Sequence, residues 1–339
     1  MLQKDSTAYC LVNFGGPRSQ EEIFPFLKAL LNDRDVIWSG LPYPLHRLLF
    51  TRIAKKRSIK IAPDYELLGG KSPIYDDTEA LALKLEDSFK APVMTFHRYI
   101  PATHKTFLDK IQQETANEIR VFPLFPQFSY ATTGSIARFF LDHLPLSTLR
   151  KLRWRLSYAT DPAYIAVMTQ ALRSFLKKNH LIEEESVLLF SAHGIPKRFV
   201  CMGDPYEKEC VNSYHLIRAH FPQAHSLLAY QSKFGKGEWL RPYTNEVCEE
   251  VKSWSQGKKN VVFVPLTFTS DHIETLFEVE QLYLPKIREK GLHAFRCPAL
   301  NLRDDWIDAI GTMIKKEDLV PTQMLVRPKL RKCCSQGSC

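Results

Sequence analysis

The chain has 339 residues, of which 45% are hydrophobic and 24% are charged, and its formal net charge is +9. This length exceeds the usual size of a single hydrophobic core, so we expect two domains of ordinary globular composition. No stretch of about eighteen apolar residues is present, which argues against a membrane-spanning helix. Lys4 and Asp5 precede a short apolar run that predicts a first strand rather than a signal peptide.

Apolar runs alternate with amphipathic stretches along the chain, and this alternation is typical of α/β proteins with parallel sheets. The predicted strands lie at 8–13, 92–96, 119–124, 153–157, 187–190, 226–231 and 261–265. The predicted helices lie at 20–31, 76–89, 103–114, 135–143, 163–178, 207–220, 244–255, 272–289 and 304–315.

The two halves of the chain resemble each other at matching places. Residues 11–17 match 189–196, and residues 122–129 match 264–270. Between these matched segments the first half is longer by 37 residues, and the surplus falls on the aromatic and basic stretch 36–72. We therefore predict a duplicated fold of two Rossmann-like halves, in which the inserted stretch forms a lip over the ligand.

The inserted stretch is both basic and apolar. Its basic residues, interleaved with leucines and aromatic residues, are His46, Arg47, Arg52, Lys55, Lys56, Arg57 and Lys60. No nucleic-acid-binding motif accompanies them, so we expect no nucleic-acid partner. The mixed character fits contact with a membrane surface or the rim of a cleft for an acidic ligand, and a solvated amphipathic helix remains the alternative.

His193 follows the apolar run 187–190 within the segment SAHGIP at 191–196. A histidine after a strand is more often structural than catalytic. Here its small neighbours leave the imidazole uncovered, and an unperturbed pKa of about 6.5 suits proton transfer at physiological pH. Because the carboxyl ends of parallel strands border the ligand crevice of an open sheet, we expect His193 at that crevice.

An acidic group follows the apolar run 261–266. Asp271 and His272 stand at the predicted start of a helix, and Glu274 and Glu278 share one helix face because they are four residues apart. Like charges on one face repel unless a cation or a proton lies between them. Carboxylates beside an imidazole suit a divalent first-row metal. A helix cap at Asp271 and a solvated acidic face are the alternatives.

Two glycine-containing turns differ from phosphate-binding motifs. The segment GGKSP at 69–73 lacks the spacing of a P-loop, and NFGGP at 13–17 is not a dinucleotide-binding fingerprint. We interpret both as turns that approach a flat ligand closely. Side chains near them that could line a large pocket include Phe14, Tyr65, Phe96, Tyr99, Phe128, Tyr130 and Trp239.

The chain has eight cysteines, and we expect free thiols in a reducing cytoplasm. Three of them, Cys333, Cys334 and Cys339, lie in the basic C-terminal tail. An iron–sulfur cluster usually needs four cysteine ligands, and Cys201 or Cys210 could in principle supply the fourth. We favour a tail of free thiols, with a [2Fe-2S] cluster as the alternative.

Five ordered motifs together resemble the ferrochelatase family, which catalyses the last step of haem synthesis. They are LVNFGGP at 11–17, GGKSPI at 69–74, SAHGIP at 191–196 followed by GDPY at 203–206, YQSKFG at 230–235 with Trp239 and Leu240, and TSDHIETL at 269–276. The resemblance runs from about residue 8 to about residue 315. It implies two similar α/β halves with four-stranded parallel sheets, a cleft between them, and a lip that covers a porphyrin.

The resemblance also implies an activity and the residues that perform it. Members of the family insert Fe²⁺ into protoporphyrin IX and release two protons, so iron is a substrate and no cofactor is required. His193 is implied as the proton acceptor or metal ligand, with Glu274 beside it. Asp271, His272 and Glu278 would form a polar path for metal or protons. The implied porphyrin-binding residues are Phe14, Tyr65, Ser72, Arg98, Tyr99, Ser129, Thr132 and Trp239.

The predicted organisation has an N-terminal half at 1–157 with the lip near 37–72 and a C-terminal half at 158–300. A helix within 301–325 packs back on the first half, and a tail occupies 326–339. We expect a cytoplasmic monomer that contacts the membrane peripherally through its lip. Leu282 departs from the family, whose acidic series often continues at this position.

Three alternatives to this activity remain open at this stage. A ferrochelatase acting on coproporphyrin or another tetrapyrrole metal chelatase would use the same histidine and glutamate chemistry. A carrier of porphyrin or haem without turnover would need the apolar pocket but not the pairing of His193 with Glu274.

Overall fold

The computed structural model describes residues 6–235 and 237–327, which form two sheets flanked by helices. The first sheet consists of β1 (Thr7–Asn13), β2 (Val93–His97), β3 (Glu118–Pro123), β4 (Leu152–Arg155) and β9 (Leu319–Val320). The second sheet consists of β5 (Ser186–His193), β6 (His225–Gln231), β7 (Asn260–Pro265) and β8 (His293–Arg296). The predicted α/β class with two mostly parallel sheets is confirmed.

The two sheets have the same strand order. The first runs β2-β1-β3-β4 in parallel and ends with β9, which pairs with β4 in the antiparallel direction. The second runs β6-β5-β7-β8 and is entirely parallel. The matched sequence segments fall on β1 with β5 and on β3 with β7, which occupy equivalent positions. This agreement supports a duplicated fold, while the domain boundaries at 157 and 300 stay a prediction.

The helices surround the sheets on both faces. They are α1 (Ile23–Asn32), α2 (Tyr43–Glu66), α3 (Ile74–Phe89), α4 (Pro101–Gln113), α5 (Thr133–His143), α6 (Leu146–Leu149), α7 (Pro162–Lys178), α8 (Lys197–Cys201), α9 (Tyr206–Arg218), α10 (Thr244–Glu249), α11 (Val251–Trp254), a π-helix (Glu274–Tyr283), α12 (Leu284–Glu289) and α13 (Asp304–Ile314). Three short 3₁₀ turns lie at Gln20–Glu22, Glu183–Glu185 and Thr322–Leu325.

The structure adds elements that the sequence does not predict. The 24-residue helix α2 forms much of the inserted stretch, but its apolar residues are spread around the helix and give no consistent face. The strands β8 and β9 have only four and two residues, and neither is among the predicted strands. The predicted helix 272–289 is divided into the π-helix and α12. The sequence does not predict this division, because the spacing of apolar residues does not distinguish the two hydrogen-bonding patterns.

One apolar core joins the two halves. It contains Leu11 and Phe122 of the first sheet, Phe190 and Val264 of the second, and Trp306 of α13. These side chains are fully or almost fully buried, so the halves share their hydrophobic stabilisation. The crevice edges of both sheets are consequently held in one packed unit.

The chain returns to the first half after α13. Lys84 of α3 forms an ion pair with Asp304 at the start of α13 (3.2 Å). Arg120 of β3 donates a hydrogen bond to the Lys315 carbonyl (2.7 Å). The indole of Trp154 in β4 then donates to Thr322 Oγ1 (2.9 Å). The last described residues therefore pack beside the first sheet.

Gly16, in the turn after β1, lies against the end of the lip. A Cβ added at Gly16 would lie 2.6 Å from Ser72 Cβ and 2.8 Å from Ile74 Cγ2. We expect Gly16→Ala to lower the free energy of unfolding by about 1–3 kcal/mol, because it overpacks this contact. Denaturant unfolding measures the change. The control is Gly311→Ala in α13, where an added Cβ would lie 3.3 Å from its nearest neighbour, Phe89 Cε1. Equal losses of unfolding free energy in the two variants would contradict the packing argument.

Candidate active site

His193 stands at the carboxyl end of β5, a central strand of the second sheet. Its backbone N–H donates to Thr267 Oγ1 (3.1 Å), and its carbonyl accepts a hydrogen bond from the Tyr206 hydroxyl (2.8 Å). Gly194 follows, and a Cβ there would lie 2.9 Å from the Gln231 carbonyl oxygen. The backbone is therefore held on three sides, while the His193 side chain is 36% exposed.

Glu274 is the hydrogen-bond partner of the His193 ring. Nδ1 of His193 lies 2.8 Å from Oε2 of Glu274, and Nε2 of His272 lies 3.8 Å from the same oxygen. The Gln231 amide donates to the Glu274 carbonyl (3.0 Å), which fastens this turn to the end of β6. Within 6–235 and 237–327, Nε2 of His193 has no hydrogen-bond partner. This nitrogen can therefore interact with a ligand.

Glu278 lies one turn beyond Glu274 on a π-helix. Hydrogen bonding five residues back is seen at its end, where the Leu284 N–H donates to the Val279 carbonyl. The Glu278 carboxylate accepts a hydrogen bond from Ser232 Oγ (2.7 Å). Single-turn π-helical bulges occur frequently at functional sites, and this segment is longer than most.

The charges of these residues are coupled. Burial alone would lower the pKa of His193, but the nearby Glu274 carboxylate outweighs it and raises that pKa above the usual value. Burial would raise the pKa of Glu274, but the His193 charge holds it well below its usual range. Burial and repulsion from Glu274 raise the pKa of Glu278 to about 7. When His193 is protonated the site thus holds an ion pair, and beside it lies a carboxyl group that can exchange a proton near neutral pH.

The lip helix α2 reaches across to these carboxylates. The guanidinium carbon of Arg57 lies 4.3 Å from the Phe234 ring centroid. Phe234 and Ile273, both from the second half, pack against the apolar cluster of α1 and α2. Burial lowers the pKa of Arg57, and the negative charges of Glu278 and Glu274 oppose this shift. The lip therefore closes one side of the crevice.

Asp271 has hydrogen-bond partners of its own. Its Oδ1 accepts hydrogen bonds from Arg296 (2.9 Å) and Thr275 (2.8 Å), and its Oδ2 accepts one from Asn301 (2.9 Å). These bonds engage both carboxylate oxygens in fixing the start of the π-helix. The His272 ring, in contrast, lies beside the Glu274 carboxylate, with 3.8 Å between Nε2 and Oε2.

Glu280 and Leu282 do not extend the acidic series. Glu280 accepts a hydrogen bond from Arg296 Nε (2.8 Å), away from the His193 pair. Leu282 is exposed. The described acidic side chains near the imidazole are consequently Glu274 and Glu278.

The predicted porphyrin-binding residues divide into two groups. Phe14, Arg98 and Thr132 are partly exposed, whereas Tyr65, Ser72, Tyr99, Ser129 and Trp239 are buried. Phe14 lies with its ring centroid 5.1 Å from that of Tyr99. Arg98 and Tyr99 both donate to Asp33 Oδ2, at 2.7 and 3.0 Å. Several buried members therefore support the crevice wall from behind.

Sequence reasoning missed several supporting residues. They include Asp33, Thr267, Tyr206, Gln231 and Ser232. Tyr206, Gln231 and Ser232 lie in motifs that carry the family resemblance, which was their available signal. Asp33 had none, since an aspartate after a helix is common.

The described residues contain no group of three or more His, Cys, Asp or Glu side chains placed to hold a metal ion. Cys10, Cys210, Cys248 and Cys297 are buried. The predicted alternative of a cluster on Cys333, Cys334 and Cys339 lies outside the described residues.

Comparison with known proteins decides the family. The sequence model of the ferrochelatase family matches residues 6–318. The chain belongs to the ferrochelatase family. A ferrochelatase of Chlamydia pneumoniae is 42% identical over 320 residues, which cover 94% of this chain and 96% of the relative. A ferrochelatase of Chlamydia caviae is 43% identical over 321 residues, covering 95% and 99%. The predicted resemblance is confirmed, and the chain is a ferrochelatase-class lyase.

Solved structures of related fold agree with the architecture. SirB from Bacillus subtilis with Fe³⁺ superposes with a TM-score of 0.53 and 13% identity, covering 91% of this chain and 94% of SirB. CbiX, described as the terminal enzyme for biosynthesis of siroheme in denitrifying bacteria, has a TM-score of 0.50 and 16% identity, with coverage of 72% and 92%. At these identities the likeness concerns the fold alone.

The lip carries a concentration of exposed apolar side chains. Trp38, Tyr43, Leu45 and Leu48 are each about half exposed to solvent. Throughout the described part of the chain, no helix combines the length and apolar character needed to cross a bilayer.

The coupled charges predict a shift in the pKa of His193. Because the negative charge of Glu278 raises this pKa, Glu278→Gln should lower it. NMR titration of the imidazole measures the change. The control is Glu280→Gln on the same helix, which should leave His193 unchanged. An identical His193 titration in both variants would contradict the coupling.

Proposed function

We propose that the crevice inserts Fe²⁺ into protoporphyrin IX and that His193 and Glu274 are its catalytic pair. The observation that carries this proposal is the 2.8 Å contact between His193 Nδ1 and Glu274 Oε2 at the carboxyl end of β5. Ligands of open parallel sheets bind at such strand ends. Membership of the ferrochelatase family indicates the reaction. The imidazole of His193 and the carboxylate of Glu274 are the acid–base groups that this reaction needs.

The reaction requires a base that faces the porphyrin. Two pyrrole N–H groups lose their protons as Fe²⁺ enters, so charge balances without electron transfer and no redox cofactor is needed. In our proposal, Nδ1–H of neutral His193 donates to Glu274, and this fixes the tautomer with the lone pair on Nε2. When Nε2 accepts a pyrrole proton, the carboxylate stabilises the imidazolium.

Glu278 is our proposed second proton carrier. Its carboxyl has a pKa of about 7, so it can accept a proton and release it near neutral pH. Ser232 holds one of its oxygens, and His272 lies beside Glu274 as a further polar group. We propose that these residues form the polar path for protons or metal. Asp271 would contribute by holding the start of the π-helix.

The apolar wall would bind and bend the porphyrin. We propose contacts from the partly exposed Phe14, Arg98 and Thr132, supported by the buried aromatic residues behind them. A bent macrocycle exposes nitrogen lone pairs to one side, and apolar binding energy can supply that strain. The exposed apolar lip favours protoporphyrin, whose vinyl groups are apolar, over coproporphyrin with its additional carboxylates.

The catalytic pair is tested by two substitutions. His193→Ala should lower iron insertion at least 100-fold by removing the proton acceptor, and Glu274→Gln should lose most activity because the imidazolium loses its counter-charge. An anaerobic assay with Fe²⁺ and protoporphyrin IX measures both, and porphyrin fluorescence quenching measures binding, which should persist. His220→Ala, on an exposed residue, is the control. Undiminished turnover in His193→Ala would remove this residue from the mechanism.

We further propose that the chain acts as a cytoplasmic monomer divided into halves at 1–157 and 158–300. One chain supplies both the catalytic pair and the lip, which supports a monomer. The repeated strand order supports the division, with the helix of 301–325 against the first half. We propose no resident cofactor, because the reaction balances without one.

We propose peripheral membrane contact through the lip. Half-exposed leucines beside Arg47 and Arg52 suit an anionic bilayer surface. The double substitution Leu45→Asp and Leu48→Asp should weaken sedimentation with anionic phospholipid vesicles at least tenfold, because apolar burial and charge both favour binding. The control is Leu146→Asp with Ile182→Asp, which are similarly exposed elsewhere. Equal vesicle binding by both double variants would contradict the proposal.

A further inference from the structure

We infer that Asp204, Pro205 and Tyr206 form a positioning link that holds His193 at a fixed place relative to the opposite crevice wall. The inference rests on the proposed role of His193. We call these three residues the crevice link. They connect the loop after α8 to the start of α9, and they touch both halves of the protein.

One end of the crevice link holds the first half. Oδ2 of Asp204 accepts hydrogen bonds from Ser129 Oγ (2.8 Å) and from the Tyr130 N–H (3.0 Å). Ser129 is fully buried and Asp204 is 3% exposed, so water does not compete for these bonds. Hydrogen bonds to a charged acceptor are stronger than neutral ones. The loop after β3, which precedes Thr132 of the proposed porphyrin wall, is therefore fastened to the second half.

The other end holds the catalytic strand. The Tyr206 hydroxyl donates to the His193 carbonyl (2.8 Å), and the His193 N–H is bonded to Thr267. The backbone N–H and the carbonyl of His193 are thus both hydrogen-bonded to side chains. A lost contact at Tyr206 would remove one of the restraints on the last residue of β5.

The crevice link is short and stiff. Oδ1 of Asp204 accepts a hydrogen bond from the Tyr206 N–H (3.1 Å), which closes a tight turn. Pro205 between them has a fixed φ angle. Glu209, one turn into α9, accepts a hydrogen bond from the Phe128 N–H (2.7 Å) and grips the same first-half loop. Movement at either end should therefore be transmitted to the other.

A positioning role predicts a loss of turnover with binding preserved. Displacement of a catalytic group by about 1 Å can cost about 100-fold in rate, so a partial displacement of His193 should cost about tenfold. Tyr206 lies behind His193 and contacts its backbone, so porphyrin affinity should change less than twofold. A general loss of folding would instead lower both quantities together.

The first test compares Tyr206→Phe with Tyr214→Phe. Both tyrosines lie on α9, are buried to a similar degree, and donate a hydroxyl hydrogen bond to a strand carbonyl, but Tyr214 bonds Ser226 at the amino end of β6. We expect a kcat about tenfold lower for Tyr206→Phe, with an unchanged dissociation constant for protoporphyrin, and wild-type values for Tyr214→Phe. Equal kcat in the two variants would overturn the inference.

The second test asks whether the two ends act in series. Asp204→Asn removes the negative charge and one of the two acceptor oxygens, which weakens the first-half end, and the double variant with Tyr206→Phe should be no slower than the slower single variant. Independent contacts would give additive losses and contradict a link. If Asp204→Asn does not fold by thermal melting, the tyrosine comparison alone decides. Retained activity in His193→Ala would refute the proposed catalytic role of His193, whereas inactive His193→Ala with an unimpaired Tyr206→Phe refutes only the link.

Discussion

The short contact between the His193 imidazole and the Glu274 carboxylate is the constraint on which the site depends. It brings together the end of β5 and the start of the π-helix, which are separated by about 80 residues in the chain. Burial disfavours either charge alone, but the two stabilise each other once His193 is protonated, and the contact through Nδ1 leaves Nε2 to face the substrate. The surrounding bonds from Tyr206, Thr267 and Gln231 hold the backbone on which this geometry depends.

Much of the architecture follows from the sequence by simple rules. Apolar runs predict seven of the nine described strands, β1 to β7, and the carboxyl-end rule for parallel sheets predicts that His193 meets the acidic helix. The i, i+4 spacing of Glu274 and Glu278 predicts their common face, which survives in the wider π-helix. These features are local, or they follow from one topological rule, so a single sequence is sufficient.

The remaining features depend on contacts between distant residues. Asp271 has the spacing of a site carboxylate, but Arg296 and Asn301, on later segments, engage both of its oxygens. Helix α2 lacks a distinct apolar face because it packs on α1 along one side and exposes leucines on another. Tyr206 donates its hydroxyl to the His193 carbonyl, and the motif that contains this tyrosine does not identify that partner. Tertiary packing determines which of these distant residues contact one another, and local sequence patterns do not show it.

The central claim is that this crevice forms protohaem, and a direct substrate comparison tests it. Purified protein is incubated anaerobically with Fe²⁺ and either protoporphyrin IX or coproporphyrin III, and the porphyrin absorption spectrum is followed. We predict conversion of both spectra to the iron porphyrin, faster for protoporphyrin. Faster conversion of coproporphyrin would contradict the assigned substrate, and tight porphyrin binding without metal insertion would contradict catalysis itself.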